Sequence, residues 1–190
     1  MSRNRTTRGG FTLIELTITV AIIGVLSATA ISLFRAQQLR TKRSEAMTNL
    51  SAVAKMENGY FGENGVYLAA TMAPPGLPGV KQNWQPVPPF SFDSLGFRAE
   101  GSVWFVYDVN SPTALCPCPS GTCFTASAIG DSDLDGNLAV LAYFHADSAG
   151  VACPTALFGA GPPIDPSDGL PMLGQPVDIF MWSGPIADDY

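Results

Sequence analysis

Residues 11–34 form an apolar run of 24 residues with one charged side chain, Glu15, near its start. At a rise of about 1.5 Å per residue, a helix over this run is about 36 Å long, which is enough to cross a bilayer core of about 30 Å. A carboxylate in such a helix is costly in lipid and in a protein core alike, so Glu15 requires a partner or a proton. The run predicts a membrane-spanning helix whose one carboxylate has a specific task.

The charges are distributed unevenly along the chain. From Glu57 onward, fourteen Asp and Glu residues outnumber two cations, Lys81 and Arg98. The other eight cations lie before or shortly after the apolar run: Arg3, Arg5, Arg8, Arg35, Arg40, Lys42, Arg43 and Lys55. The acidic C-terminal part is not expected to bind nucleic acid, because phosphate contacts need Lys and Arg. The pattern is typical of a membrane-proximal stem with a soluble head, and the basic leader is expected to stay cytoplasmic while the head lies outside.

The helical pattern continues beyond the apolar run. Apolar residues recur at spacings of three and four through the stretch that ends at Phe61, as in an amphipathic helix. No proline interrupts residues 11–73, and the first plausible stops are Gly59 and Gly62, with Gly65 just beyond. One helix of roughly 48 residues, about 72 Å long, is predicted.

An ordinary secretory signal peptide is the alternative interpretation. The basic leader, the apolar run and the A-x-A pattern of Ala28-Thr29-Ala30 all fit it. Glu15 near the start of the run and the continuing helical pattern argue against it, because insertion of a deep carboxylate costs about 2.5 kcal/mol or more.

The stretch RGGFTLIELTITVAIIGVLSATAI resembles the N-terminus of type IV prepilins, the family that includes major pilins, minor pilins and the pseudopilins of secretion systems. A short basic leader ends in Gly10, Phe11 follows, and Glu15 stands at a fixed spacing inside a full-length apolar run. The resemblance covers about the first third of the chain, including the second half of the stem helix and its exit at residues 44–67.

The resemblance implies a role for each of three residues. A prepilin peptidase would cut between Gly10 and Phe11, and the new amine of Phe11 would be N-methylated. Glu15 would pair with the Phe11 amine of a neighbouring subunit in the filament. Elementary physics agrees, since an unpaired carboxylate at a wrong register is penalised. A Glu15 that is merely solvated among lipid headgroups is the simpler alternative.

The resemblance also implies a division of the chain and a function. Residues 1–10 would be the leader peptide, 11–34 the transmembrane and assembly segment, 35–62 the amphipathic stem and 63–190 the head. The protein would be held in the inner membrane, assembled by the pilus machinery into a surface filament, and used in adhesion or motility. A minor pilin or type II secretion pseudopilin is the alternative within the family.

The head is predicted to be an antiparallel sheet packed on the stem, which makes the fold class α+β. Residues 68–90 are rich in Pro and Gly and indicate an irregular crossing loop. Strand-like runs follow at 102–109, 123–130 and 137–146, and one edge strand is expected around 177–183.

Four cysteines, Cys116, Cys118, Cys123 and Cys153, predict two disulfides in a head outside the cytoplasm. Cys116 and Cys118 flank Pro117 and are not expected to pair with each other, so one would bond Cys123 and the other Cys153. Both pairings staple the 110–123 loop to the tail. A metal site is the alternative, although the spacing matches no common zinc pattern and no histidine is near in sequence.

Asp131, Asp133 and Asp135, followed by Gly136, match the opening of an EF-hand loop. The twelfth position is Ala142 rather than Glu, so a calcium site would need ligands from elsewhere. A polar turn between two strands is the favoured interpretation.

No catalytic set is apparent in the sequence. His145 is the only histidine and lies in an apolar, strand-like run, where a packed or edge residue is expected. Phosphate-binding loops, hydrolase triads and H-E-x-x-H patterns do not occur. The chain is predicted to have no enzymatic activity and no cofactor.

Overall fold

The computed structural model describes residues 10–76, 80–89, 91–111, 116–119, 121–131, 133–134 and 136–179. The chain separates into two compact units, with the division between Gln38 and Leu39. The sequence predicted functional boundaries at 34/35, between the transmembrane segment and the stem, and at 62/63, between the stem and the head. These boundaries remain predictions, because compact units are defined by contacts and not by function.

The helix α1 spans Leu13–Asn64, 52 residues in all. It ends where Gly65 adopts a φ of 71°, a left-handed conformation that favours glycine, and where the Gly65 N–H donates to the Phe61 carbonyl at 2.7 Å. The helix runs through Gly59 and Gly62, the first stops that the pattern suggested. A helical glycine costs only about 1 kcal/mol, and the neighbouring Tyr60 and Phe61 pack on the core of the second unit.

In the first unit, the large apolar side chains of residues 11–34 are all exposed, by 52% to 87%. The hydroxyls of Thr17, Thr19 and Thr29 donate to carbonyls three residues earlier, at 2.8–3.0 Å. These polar groups are therefore satisfied inside the helix, as an apolar surrounding requires.

The second unit contains a five-stranded antiparallel sheet in the order β1-β4-β5-β6-β7. The strands are β1 Ala70–Ala73, β4 Val106–Asn110, β5 Phe124–Gly130, β6 Ala139–His145 and β7 Pro176–Ile179. A separate two-stranded sheet pairs β2 Gln82–Asn83 with β3 Ser102–Val103. A long N-terminal helix with an antiparallel sheet is the α+β class that the sequence predicted.

The predicted strand 102–109 is two strands. Residues 102–103 pair with β2, whereas Val106–Asn110 belongs to the main sheet. Between them the Trp104 N–H donates to the Glu45 carboxylate on α1 at 3.1 Å, and the Lys42 ammonium lies 3.9 Å from the Trp104 ring centre. The Trp104 N–H thus bonds a side chain of the helix instead of a carbonyl of a neighbouring strand. The crossing loop expected at 68–90 also contains β1 and β2.

One face of the main sheet packs on the part of α1 beyond Leu39. Leu50 and Val53 of the helix are buried with Tyr107 and Phe124 of the sheet. Small residues of β5, Ala126 and Ala128, belong to the same cluster. Burial of each large apolar side chain contributes about 1.5–3 kcal/mol, so this layer dominates the stability of the unit.

The opposite face of the sheet is also buried. Successive strand residues point to opposite faces, and Val106, Ile129 and Phe144 form a second cluster on this side. Residues 152–173 of the C-terminal segment pack against it through apolar side chains of Ala152, Phe158, Ala160, Met172 and Leu173. The Pro- and Gly-rich tail therefore covers the sheet.

The strand β7 forms the edge expected near 177–183, within its described part, Pro176–Ile179. Residues 180–183 lie outside the described residues. The Arg43 guanidinium of α1 donates to the Asp178 carboxylate of β7 at 3.1 Å, and both side chains are largely shielded from solvent. This pair joins the helix to the last strand of the sheet.

Glu57 of α1 is fully buried. Its Oε2 accepts the Leu68 N–H at 3.0 Å, while its Oε1 has no hydrogen-bond partner within the described part of the chain. Burial raises the pKa of Glu57 from 4.5 to about 8, and the Leu68 N–H only partly offsets this. The carboxyl group fastens the helix to the segment that follows it, and it does so best when protonated.

We expect Glu57 to make stability fall as pH rises. A folded-state pKa of about 8 exceeds the unfolded value of 4.5, so this contribution is complete below pH 4.5 and is lost as pH approaches 8. From about pH 6.5 to about pH 8.5 the wild type should lose about 2 kcal/mol, or about 4–8 °C in thermal midpoint. Glu57→Gln should flatten this slope when full-length protein is melted in detergent micelles.

The matched control is Glu63→Gln, a substitution of an exposed glutamate on the same helix. Asp108, whose pKa burial raises to about 6, is mostly ionised throughout this pH window and adds little. Equal slopes in the wild type and in Glu57→Gln would contradict the assignment.

Position 121 has no room for a side chain and therefore requires glycine. A Cβ there would lie 2.6 Å from Cγ1 of Val66, whereas a Cβ at Gly150 meets nothing within 4 Å. Both residues have nearly the same positive φ, 82° and 81°. Gly121→Ala should therefore lower the free energy of unfolding by at least about 1 kcal/mol more than Gly150→Ala, because only the first adds overpacking to backbone strain. Chemical denaturation in micelles measures the difference, and equal losses would refute the steric argument.

Candidate functional site

The residues that the sequence singled out for cleavage lie just before α1. Gly10 and Phe11 are outside the helix and exposed, Phe11 by 87%. A peptide bond in this position is accessible to an enzyme. The roles of Gly10 in cleavage and of Phe11 in cleavage and N-methylation remain predictions.

Thr12 and Glu15 form a capping box at the start of α1. The Thr12 N–H and the Thr12 hydroxyl both lie 2.8 Å from Glu15 Oε2, and the Glu15 N–H donates to the Thr12 Oγ1 at 3.3 Å. A Thr followed three residues later by Glu satisfies helix donors that otherwise lack partners. Sequence reasoning missed this role of Thr12, although T-x-x-E within FTLIE was the signal.

The capping box gives Glu15 hydrogen-bond partners before any other chain is present. In the single chain its carboxylate already accepts two hydrogen bonds from Thr12, so a wrong register in a helix bundle does not leave it bare. An incoming amine would add charge to an anchored carboxylate. If Glu15 pairs with such an amine, a wrong register would cost that ion pair rather than the full desolvation of an unpartnered anion.

The apolar surface around Glu15 has no cover within its own unit. Among the described residues, α1 is the one helix that is long and apolar enough to cross a membrane, judged by length and composition. Thirteen large apolar side chains between Phe11 and Phe34 are exposed and need lipid or other helices around them. The site can therefore act in membrane insertion, in helix association, or in both.

The four cysteines come together at one end of the sheet. The structure joins Cys116 to Cys153 and Cys118 to Cys123, with Cα–Cα distances of 4.8 and 6.3 Å, and leaves no cysteine free. This is one of the two pairings that the sequence left open. The link between Cys116 and Cys153 ties the loop before β5 to the tail behind the sheet.

The aspartate loop after β5 is organised as a turn around Asp131. Its Oδ1 accepts the Leu134 N–H at 2.7 Å and its Oδ2 accepts the Gly136 N–H at 3.0 Å. Both carboxylate oxygens thus serve the backbone, as in an Asx turn. Asp133 is described and has a partner, whereas Asp135 lies outside the described residues. Calcium binding through these three residues stays the less favoured of the two interpretations that the sequence allowed.

His145 packs among aromatic rings on the helix-facing side of the sheet. Its Nε2 lies 2.8 Å from the Tyr67 hydroxyl, and its ring stacks on Phe124. Burial lowers the pKa of His145, which favours the neutral imidazole. Tyr67 also donates to Asn58 of α1 at 3.2 Å. The histidine helps to fasten the helix exit to β6.

Comparison with known proteins concerns the same N-terminal region. A family model described as "Prokaryotic N-terminal methylation motif" matches residues 5–31. The chain is 52% identical over 65 residues to the type IV major pilin protein PilA of Myxococcus xanthus (strain DK1622). That alignment covers 34% of this chain and 28% of the relative, so it spans less than a third of the length of that protein.

The matched range includes Gly10, Phe11 and Glu15, and the structure places Phe11 just before a helix with an apolar surface and Glu15 in the first turn of that helix. Motif, helix and similarity to a major pilin coincide in one region. The N-terminal third of the chain is therefore similar to the corresponding part of a type IV major pilin.

Proposed function

We propose that the protein is a structural subunit of a type IV pilus, processed by a prepilin peptidase and polymerised through its N-terminal helix. The observation that carries the proposal is the methylation motif over residues 5–31, which covers the start of a helix whose apolar side chains are exposed. Such a surface is suited to other copies of the same helix. No catalysis is part of the proposed role.

Processing would occur at the bond between Gly10 and Phe11. The exposure of both residues, and their position before the first helical turn, support access by the peptidase. Cleavage creates an amine on Phe11 that the precursor lacks. Methylation would follow on this amine and would leave its positive charge in place at neutral pH.

Assembly would use two interactions of different kinds. Packing of the apolar helices supplies most of the affinity, while the pair between Glu15 and the Phe11 amine of a neighbour fixes the axial position. The capping box supports this division because Thr12 holds the carboxylate at the helix start before any neighbour arrives.

Before assembly, the helix would hold the subunit in the inner membrane, with the rest of the chain outside the cytoplasm. The pilus machinery would then transfer it into a filament at the cell surface. Disulfides in the second unit support a location outside the cytoplasm.

A major subunit is favoured over a minor pilin or pseudopilin because the relative from Myxococcus xanthus is itself named a major pilin. The two roles differ in abundance. Recovery of the protein as the dominant band in sheared surface filaments would support the major role, and recovery in trace amounts would support the minor one.

A secreted protein cut after Ala30 is the alternative from another class. Residues 28–30 lie in the middle of the uninterrupted helix Leu13–Asn64, which speaks against it. N-terminal sequencing of the mature protein separates the two hypotheses: methylated Phe11 supports the pilin, and Ile31 overturns it.

Substitutions of Glu15 separate the ion pair from the helix cap. Gln can replace Glu in a capping box but carries no charge, so Glu15→Gln and Glu15→Ala should both reduce filament yield at least about tenfold if each ion pair contributes about 1.4 kcal/mol or more. The measurement is the amount of sheared filament from cells in which the variant is the sole copy.

Two controls define the outcome. Thr17→Val removes a hydroxyl that bonds only the helix's own Ile14 carbonyl at 3.0 Å, and it should leave filament yield near the wild type. Mass spectrometry should find Phe11 as the first residue in every variant. Normal filament yield from Glu15→Gln would show that the charge is dispensable and would refute the ion pair.

A further inference from the structure

The sulfur atoms of Cys116, Cys118, Cys123 and Cys153 form one compact tetrad. All four lie within 4.8 Å of one another. The sulfurs that are not bonded to each other are also close, with Sγ–Sγ distances of 3.1 Å (116–118), 3.5 Å (116–123), 3.7 Å (118–153) and 3.1 Å (123–153). Cys116 and Cys118 are two residues apart and belong to different disulfides, so the two disulfides lie side by side and their four sulfurs form one group.

The size of the tetrad fits a tetrahedral metal site. With Zn–S bonds of about 2.3 Å, four sulfurs around one Zn²⁺ lie about 3.8 Å apart. Two of the non-bonded distances, 3.5 and 3.7 Å, are near this value and the other two, 3.1 Å each, are shorter, so the set would be completed by separation of the two bonded pairs and a small expansion of the group. Soft thiolate ligands select zinc over the oxygen-preferring calcium and magnesium.

The tetrad is enclosed, as structural zinc sites are. Cys123 and Cys153 are fully buried, Cys118 is 6% exposed and Cys116 is half-buried. Val151 packs against the group. A closed set of four protein ligands leaves no open position for a substrate, which excludes a catalytic type of zinc site.

The positions of the cysteines do not depend on the disulfides alone. Cys123 directly precedes β5, and the hydroxyl of Thr125 in that strand donates to the Cys153 carbonyl. The side-chain amide of Asn110 in β4 donates to the Pro154 carbonyl at 2.7 Å. In addition, the Tyr67 N–H donates to the Gly121 carbonyl at 3.1 Å. These bonds would keep Cys123 and Cys153 in place in the reduced chain.

From this geometry we infer that the thiol form of the protein binds one Zn²⁺ through Cys116, Cys118, Cys123 and Cys153, and that the two disulfides and the metal are alternative occupants of the same tetrad. Four thiols lose four protons when they bind one Zn²⁺, so a tetrathiolate with a net charge of −2 forms and binding tightens as pH rises. Every chain has thiols when it leaves the ribosome, so no reductant is required for the metal form. The zinc would hold the loop and the tail together as long as the four cysteines are reduced.

The test uses full-length protein in detergent micelles, reduced without oxygen by a water-soluble phosphine. Each disulfide and one water convert the phosphine to its oxide and give two thiols, which balances atoms and electrons. After removal of the phosphine, Co²⁺ is added as a spectroscopic probe and is then displaced by Zn²⁺. We expect the visible bands of tetrahedral cobalt thiolate to saturate at one ion per chain, and native mass spectrometry to find one bound Zn²⁺.

Variants and redox state identify the ligands. Cys123→Ser should lose the tetrathiolate spectrum, whereas His145→Gln should keep it, because the imidazole is assigned to Tyr67 rather than to the metal. The oxidised wild type has the same sequence and no thiols, so it should show no cobalt thiolate bands even if Cys123→Ser fails to fold.

Three results would overturn the inference: absence of tetrahedral bands in the reduced wild type, metal binding that exceeds one ion per chain without saturation, or an unchanged spectrum in Cys123→Ser. None of these results bears on pilus assembly through Glu15, so the inference and the proposed function fail separately.

Discussion

The exposed apolar surface of residues 11–34 is the constraint on which the biology of this chain depends. With side chains exposed by 52% to 87%, this part of α1 cannot be the exterior of a water-soluble protein. The hydroxyls of Thr17, Thr19 and Thr29 donate to the helix's own carbonyls, so these polar groups have partners before the segment enters lipid or a bundle. Glu15 is the one charged residue of the segment, and hydrogen bonds from Thr12 hold its carboxylate at the helix start. A neighbouring chain would therefore find a positioned carboxylate on an otherwise apolar surface.

The second unit solves a different problem, because its sheet must be covered on both faces. The stem helix covers one face through Leu50 and Val53, and the C-terminal segment covers the other through residues such as Phe158 and Met172. An irregular segment forms few backbone hydrogen bonds of its own, so it needs other bonds to hold it on the sheet. The Cys116–Cys153 disulfide, the Thr125 hydroxyl and the Asn110 amide supply them at one end. The cysteines are thus best understood as part of how a loop-rich tail becomes a layer of the fold.

Much of the architecture could be predicted from sequence because its signals are periodic. The apolar run, the amphipathic spacing that follows and the aromatic strands at 123–130 and 137–146 each repeat a local pattern over several residues. The short strands β1 and β2 could not be predicted, because two to four residues in a Pro- and Gly-rich stretch are too few to show an alternation of apolar and polar side chains. The split of 102–109 depends on a side chain distant in sequence, the Glu45 carboxylate that takes the Trp104 N–H. The capping box, in contrast, has a local sequence signal, the T-x-x-E spacing of Thr12 and Glu15.

Two carboxylates on α1 show how position decides what an acidic residue does. Glu15 lies at the helix start, where free backbone donors and the Thr12 hydroxyl are available to it. Glu57 lies in the last two turns, where helix N–H groups are already used, and it obtains one donor from Leu68 beyond the helix end. Burial then raises its pKa to about 8, and a proton completes what the backbone does not supply. Thr12 holds the Glu15 carboxylate at the helix start, where the proposed pairing with the amine of another chain would take place, whereas Glu57 stabilises its own chain by remaining neutral.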